Sequence, residues 1–317
     1  MLSSNAKIFE IQSPPTDTVS EFSFSTLHNM MIASSWDGSI SLYNPISPNG
    51  FMKNIQYSKP MLSCSFSKDT PVHCFGGSAD GTLHFIDLEK GISNNFKAHN
   101  DGIKSVRSLY NSVITASWDK TIKIWDTRSA QCTKTVECDG KIYCMDLQNN
   151  LLAYGTSTNV MYSCNINNMD NKKKHTPRFS YMIKCLNVGS DDKNVLVGSI
   201  EGKCEMINTT SIYNGITFRS HRKDTKVYSV NTVSIFPKNS NILVTAGGNG
   251  DLIFYDNLSR VKTFTKTEDL PVTAGGFSTD GKLYVYGLGD DWSTGYDGVF
   301  RKTSIKVMEV NSLGIKI

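Results

Sequence analysis

Along this chain, short runs of alternating apolar and polar residues are broken at close intervals by tight polar turns. The implied element is the strand, because side chains on a strand point to opposite faces with a period of two. Thr121-Ile122-Lys123-Ile124-Trp125 is a clear run of this kind. The turns read Asp-Gly, Asp-Lys, Glu-Gly and Asn-Gly. Asp-Gly and Asn-Gly favour primed hairpin turns, since both central residues tolerate positive φ. The recurring unit is therefore an antiparallel hairpin, preceded by a further alternating run such as 103–109 or 230–236.

Aligned on these turns, SSWDGSISLYN from Ser34, GSADGTLHFID from Gly77 and ASWDKTIKIWD from Ala116 nearly superimpose. Weaker copies start at Gly155, Gly198 and Ala246. The matching positions Trp36, Ala79, Trp118, Ser157, Ile200 and Asn249 are separated by 43, 39, 39, 43 and 49 residues. A period of about forty, with four strands in each, is that of a β-propeller. One four-stranded blade cannot bury both faces, so neighbours stack until a ring closes. Six copies and the final segment 272–310 predict an all-β, seven-bladed propeller occupying 1–317 as a single domain. The last segment supplies three strands, and the alternating stretch 7–12 is expected to add the fourth, pairing the two termini. Deleting residues 1 to 12 should then open the ring.

Composition narrows the chemistry. Hydrophobic residues make up 39% and charged residues 20%, with a net charge of +4, which permits acidic partners without the dense positive field of a dedicated DNA binder. The start of the chain lacks the apolar stretch of a signal peptide, and no later window is long enough to span a bilayer, so a cytosolic or nuclear protein without membrane insertion is expected. Eight cysteines occur, none spaced as C-x-x-C, and read as small buried hydrophobes. No P-loop, paired-histidine motif, nucleophile elbow or metal-ligand cluster is present in the sequence. The expectation is a non-enzyme without cofactor or metal.

The third repeat carries His99 before its first strand, Ser117 at the end of the second, Asp119 in the turn and Trp125 closing the third. These four residues match the hydrogen-bond set of WD repeats, which ends on a buried indole N–H, and the other repeats lack the full set. Taken in order, SPPTDTVSEFSFS, ASSWDGSI, ASWDKTIKIWDTRS, GSIEGKCEM, FRSHR, VTAGGNGDLIFYD and DDWSTG resemble the messenger-RNA export factor family of WD-repeat proteins at the nuclear pore. A related spindle-checkpoint WD-repeat family resembles the chain as well. The run ASWDKTIKIWDTRS and the late DWSTG segment are nearer the export factors.

That resemblance implies an adaptor in the nucleus, at the nuclear envelope and pore, and in the cytoplasm. Its partner would be a GLEBS-type segment of an FG-repeat nucleoporin, with RNA as a further candidate. The alternative is a checkpoint adaptor holding checkpoint kinases and phosphorylated kinetochore peptides. Trp36 and Trp118 sit at equivalent turns of blades one and three, where family likeness makes them anchors for the extended segment. The competing reading has each indole lying flat on a neighbouring blade as a cap. Lys203 falls where those families carry arginine and would meet acidic groups without the bidentate fork. Arg219, His221 and Arg222 form a compact cationic element, read either as a solvated loop or as an acceptor for an acidic or phosphorylated peptide or an RNA backbone. The cluster 172–175 reads as an exposed basic loop. Asp290, Asp291 and Trp292 read as part of a long loop available for contact.

Overall fold

Every turn of the Asp-Gly type closes a hairpin whose strands are the middle pair of a four-stranded antiparallel sheet. The computed structural model describes residues 6–211, 215–295, 297–299 and 301–315. In blade 1 the strands are Val19–Phe24, Met31–Ser35, Ser39–Tyr43 and Phe51–Gln56, in that order from the central axis outwards. Blades 2 to 6 repeat this order over 61–97, 103–137, 142–175, 183–219 and 230–267. Blade 7 takes Val272–Phe277, Leu283–Leu288 and Ser304–Glu309 from the end of the chain and Ile8–Ile11 from its start. The register runs from Ile8 opposite Met308 to Ile11 opposite Ile305. The ring is a seven-bladed propeller closed by its two terminal strands.

Position in the blade explains burial. The second strand of blade 1, Met31–Ser35, is buried throughout, while the outer strand Phe51–Gln56 shows alternating exposure. Apolar side chains from facing blades interlock: Ile114 and Ile122 of blade 3 pack with Met145, Leu152 and Tyr154 of blade 4. Each fully buried side chain of this size contributes roughly 1.5–3 kcal/mol. The turns need one left-handed residue. Glycine provides it at Gly81 (φ 85), where a Cβ would press on the carbonyl oxygens of His99 and Asp101.

Two segments depart from the sequence reading. Residues 172–175 belong to the strand Asn168–His175, the outer strand of blade 4, instead of a loop. Its lysines sit on an edge strand, where charge discourages pairing with another chain. The basic stretch before blade 6 also folds, as a two-stranded ribbon of Arg222–Lys223 against Lys226–Val227. Among the described residues, no helix is long and apolar enough to cross a membrane.

Candidate binding rim

One hydrogen bond recurs in every blade and defines a face of the ring. The residue entering the turn between the second and third strands donates its backbone N–H to a carbonyl just before the innermost strand. Trp36, Ala79, Trp118, Ser157, Ile200, Gly248 and Gly289 make this bond at 2.8–3.1 Å. All seven turns therefore lie on one rim, together with the connections that enter each blade. Blade 6 uses Gly248 here, one residue earlier than the turn spacing implies.

That one-residue shift puts Asn249 level with Asp119 and reveals a second network. In blade 3, His99 Nδ1 lies 3.0 Å from the Asp119 carboxylate and Nε2 lies 2.7 Å from Thr115 Oγ1. The carboxylate only accepts, which assigns the proton to Nδ1. The Thr115 hydroxyl then donates to Nε2 and accepts the Trp125 indole N–H at 2.9 Å. Thr115, absent from the expected set, is the bridge. Ser117 instead donates to the Asp101 carbonyl and accepts from the Asp119 N–H, which fixes the turn.

His221 corrects the cationic reading. It is 1% exposed, with Nδ1 2.9 Å from Asn249 Oδ1 and Nε2 2.9 Å from Thr245 Oγ1. Ser220 links Thr245 to the Tyr255 hydroxyl, so Tyr255 stands in the place of tryptophan. Burial holds the His221 imidazole down to about 4, and it is neutral at physiological pH. His221 is a structural residue of blade 6, so the cationic element of this segment is carried by its neighbours.

Arg219 and Arg222 are exposed and gather on the blade 5 rim with Lys203, which pairs with Arg219 across two strands. Glu201 organises them. Its carboxylate meets Lys203 Nζ at 3.0 Å and the Ser180 N–H at 3.1 Å, while its carbonyl accepts from Arg222 at 3.0 Å. Lys203 thus already has an acidic partner within the chain. Beside this group Ile200 and Tyr181 are exposed, the latter by 62%. No alternation of apolar and polar residues around Tyr181 marks it as a rim position.

The two rim tryptophans differ. Trp36 is 42% exposed on blade 1. Trp118 is half-buried, with its six-membered ring over Gly102, where a Cβ would come within 2.7 Å. Its indole N–H is buried without an acceptor among the described residues. Trp36 stands exposed on the rim, whereas Trp118 caps its own blade with its indole N–H buried. In blade 7 the long turn carries Trp292, 52% exposed, and is tied to blade 1 by Thr18, whose hydroxyl donates to the Asp290 carbonyl at 2.9 Å. The Asp291 carboxylate accepts from Asn231 of blade 6 and fills the space beside Gly248. Among the described residues, no group of three or more histidines, cysteines or acids is placed to hold a metal ion.

Seven four-stranded blades and the histidine–threonine–tryptophan network define a WD-repeat propeller. Two family models match parts of the chain: the WD domain, G-beta repeat over residues 7–44, and the TEP-1 C-terminal beta-propeller over residues 99–162. Solved structures of RRP9 WD40 repeats (TM-score 0.84, 12% identity, 97% of this chain and 98% of that one) share the fold. The WD40 repeat protein poxJ of Penicillium oxalicum is 32% identical, covering 92% of this chain and 89% of that protein. Protein Rae1 of Drosophila melanogaster is 30% identical (91% and 89%), and the mRNA export factor GLE2 of Chaetomium thermophilum 29% (94% and 88%). The mitotic checkpoint protein bub3 of Dictyostelium discoideum is more distant, at 25% (88% and 87%). The chain belongs to the Rae1/Gle2 messenger-RNA export factor family of WD-repeat proteins.

Proposed function

We propose that this chain, as a single propeller domain over 1–317, is a non-enzymatic adaptor that binds a GLEBS-type segment of an FG-repeat nucleoporin and supports messenger-RNA export. It would work in the nucleus, at the nuclear pore and in the cytoplasm. The observation that carries this reading is likeness to Rae1 and GLE2 over nine-tenths of the chain, above the likeness to bub3. The rim supports it: an exposed Trp36 offers an aromatic anchor, and Arg219 and Arg222 offer charge to acidic groups of an extended segment. Lys203 contributes only if an incoming carboxylate competes with Glu201, and the half-buried Trp118 contributes only through the exposed part of its ring.

Affinity purification of the wild-type protein beside Trp36→Ala tests this, with thermal unfolding as the folding control. Loss of a nucleoporin from a folded variant is the expected result. Loss of a checkpoint kinase instead would keep the rim site and transfer the role to the spindle checkpoint. Retention of every partner would remove Trp36 from the site.

A further inference from the structure

The seven innermost strands share one irregularity. In each, pairing with the second strand slips by one residue directly after the first position, as at Ile103/Ser105, Ile142/Cys144 and Ile183/Cys185. A bulged residue leaves the ladder and its side chain is re-aimed. In blades 3, 4 and 5 the bulged residues are Lys104, Tyr143 and Lys184, and all three line the central channel, a cavity of about 510 Å³. Because innermost strands start on the rim side, this level is the rim mouth of the channel.

The charges lining the channel do not cancel there. Its acids are Glu21 and Asp146, and Arg107 takes both, at 2.8 and 2.7 Å. Arg107 lies three residues deeper than Lys104, about 10 Å along the strand. Lys184 Nζ donates to Asn231 Oδ1 at 2.7 Å and Ser229 Oγ at 3.2 Å, both neutral. Lys104 and the Tyr143 hydroxyl make no hydrogen bond or ion pair among the described residues. Burial and, to a smaller extent, the neighbouring Lys104 push the Lys184 ammonium down, against the pull of Asp291. Two ammonium groups thus face a shared, partly enclosed space with one acid nearby, and that acid is already held by Asn231.

We infer that the rim mouth of the channel is a binding site for a compact phosphate-bearing small molecule, held by Lys104 and Lys184 with the Tyr143 hydroxyl as a third donor. A phosphate dianion matches two cations and offers enough oxygens for all three donors, whereas a single carboxylate leaves one cation unmatched. The volume lies in the range of small-ligand cavities. The closed ring of innermost strands favours a compact ligand over a polymer, which would have to enter end-on.

Pyrophosphate is the probe, titrated by calorimetry at ionic strength matched with sodium chloride. The wild-type protein should bind it, and Lys104→Gln/Lys184→Gln should weaken binding by about tenfold or more. Lys104→Arg should stay within about threefold, since the charge is kept. In phosphate-free buffer the double variant should unfold at or above the wild-type temperature, because like-charge repulsion is relieved, and this shows that it is folded. Absence of binding to the wild type, or equal binding to the double variant, would overturn the site. A short phosphoserine peptide that binds about tenfold more tightly than pyrophosphate through the same lysines would overturn the small-molecule assignment. None of these outcomes bears on the rim adaptor role, whose residues lie outside this site.

Discussion

His221 stands to Asn249 as His99 stands to Asp119: the Nδ1-to-oxygen separations are 2.9 and 3.0 Å, in blades that are not neighbours. Both imidazoles are held down to about 4, chiefly by burial, from the ordinary value of 6.5. The unfolded chain therefore takes up these protons near pH 6.5, while the folded ring resists until near pH 4. Stability from each neutral histidine is complete above pH 6.5, falls as pH drops, and levels off below pH 4. Between pH 7 and pH 5 each should cost roughly 2 kcal/mol. Urea unfolding of wild type and His221→Gln at both pH values measures this. The variant should start less stable and lose less on acidification, and parallel losses would show that His221 is not the titrating group.

Trp36 and Trp118 occupy equivalent turns but should respond differently to truncation. Trp118→Ala removes a ring packed over Gly102 and should cost about 2 kcal/mol, below the cost of a fully buried tryptophan. Trp36→Ala, on an exposed ring, should change stability by under about 1 kcal/mol. Chemical denaturation of the two single variants separates these effects. Equal destabilisation would make both indoles structural and leave the rim without an aromatic anchor.

The contrast between these two residues shows what the sequence could convey. Turn chemistry and alternation located the hairpins, the count of blades and the terminal strand, because each is a local pattern. The Trp118 ring packs over Gly102, just before the innermost strand of the same blade, and nothing in the turn itself marks that contact, so no local pattern distinguished Trp118 from Trp36. The blade 6 network was hidden for another reason. Aligning on Asn249 in place of Gly248 moved the turn by one residue, and with Tyr255 replacing tryptophan, His221 had no visible partner. Ser117 borders the turn and so stands out, yet only Thr115 is hydrogen-bonded to both His99 and the Trp125 indole. The lysines of Asn168–His175 read as a loop because an outer strand exposed on most of its length loses the alternation that marks the others.

Ring closure depends on four residues from the start of the chain. Ile11 is fully buried and packs in a cluster with Val19, Met31 and Tyr43 of blade 1 and Val285, Ile305 and Val307 of blade 7. It therefore joins two blades as well as pairing with Ile305. Ile11→Ala should cost about 2–4 kcal/mol by leaving a cavity at this seam. Removal of residues 1–12 should lower the unfolding temperature more than Ile11→Ala, because the Ser304–Glu309 strand would lose its whole partner. Differential scanning calorimetry on both forms checks the order. A truncated chain melting with the wild type would mean that the inter-blade packing alone holds the ring.

Arg107 is the other place where distant parts of the ring are tied. It comes from blade 3, and its guanidinium meets Glu21 of blade 1 and Asp146 of blade 4 across the channel. Ser63 of blade 2 also donates to Glu21, and the Asn187 amide and Val188 N–H of blade 5 donate to Asp146. Burial works against the charge on Arg107, but the two carboxylates outweigh it and hold its pKa above the ordinary value. Arg107→Met would leave two partly enclosed carboxylates facing the channel without a cation, at a cost on the order of 3 kcal/mol. Adding Glu21→Gln and Asp146→Asn removes the unpaired charges, so the triple variant should recover to within about 1 kcal/mol of wild type. Urea unfolding at neutral pH gives the comparison. If Arg107→Met is as stable as wild type, channel water screens the acids and the blades are held by ladder and apolar packing. If the triple variant stays as unstable as the single one, the guanidinium acts through packing and geometry, and charge pairing is not its main contribution.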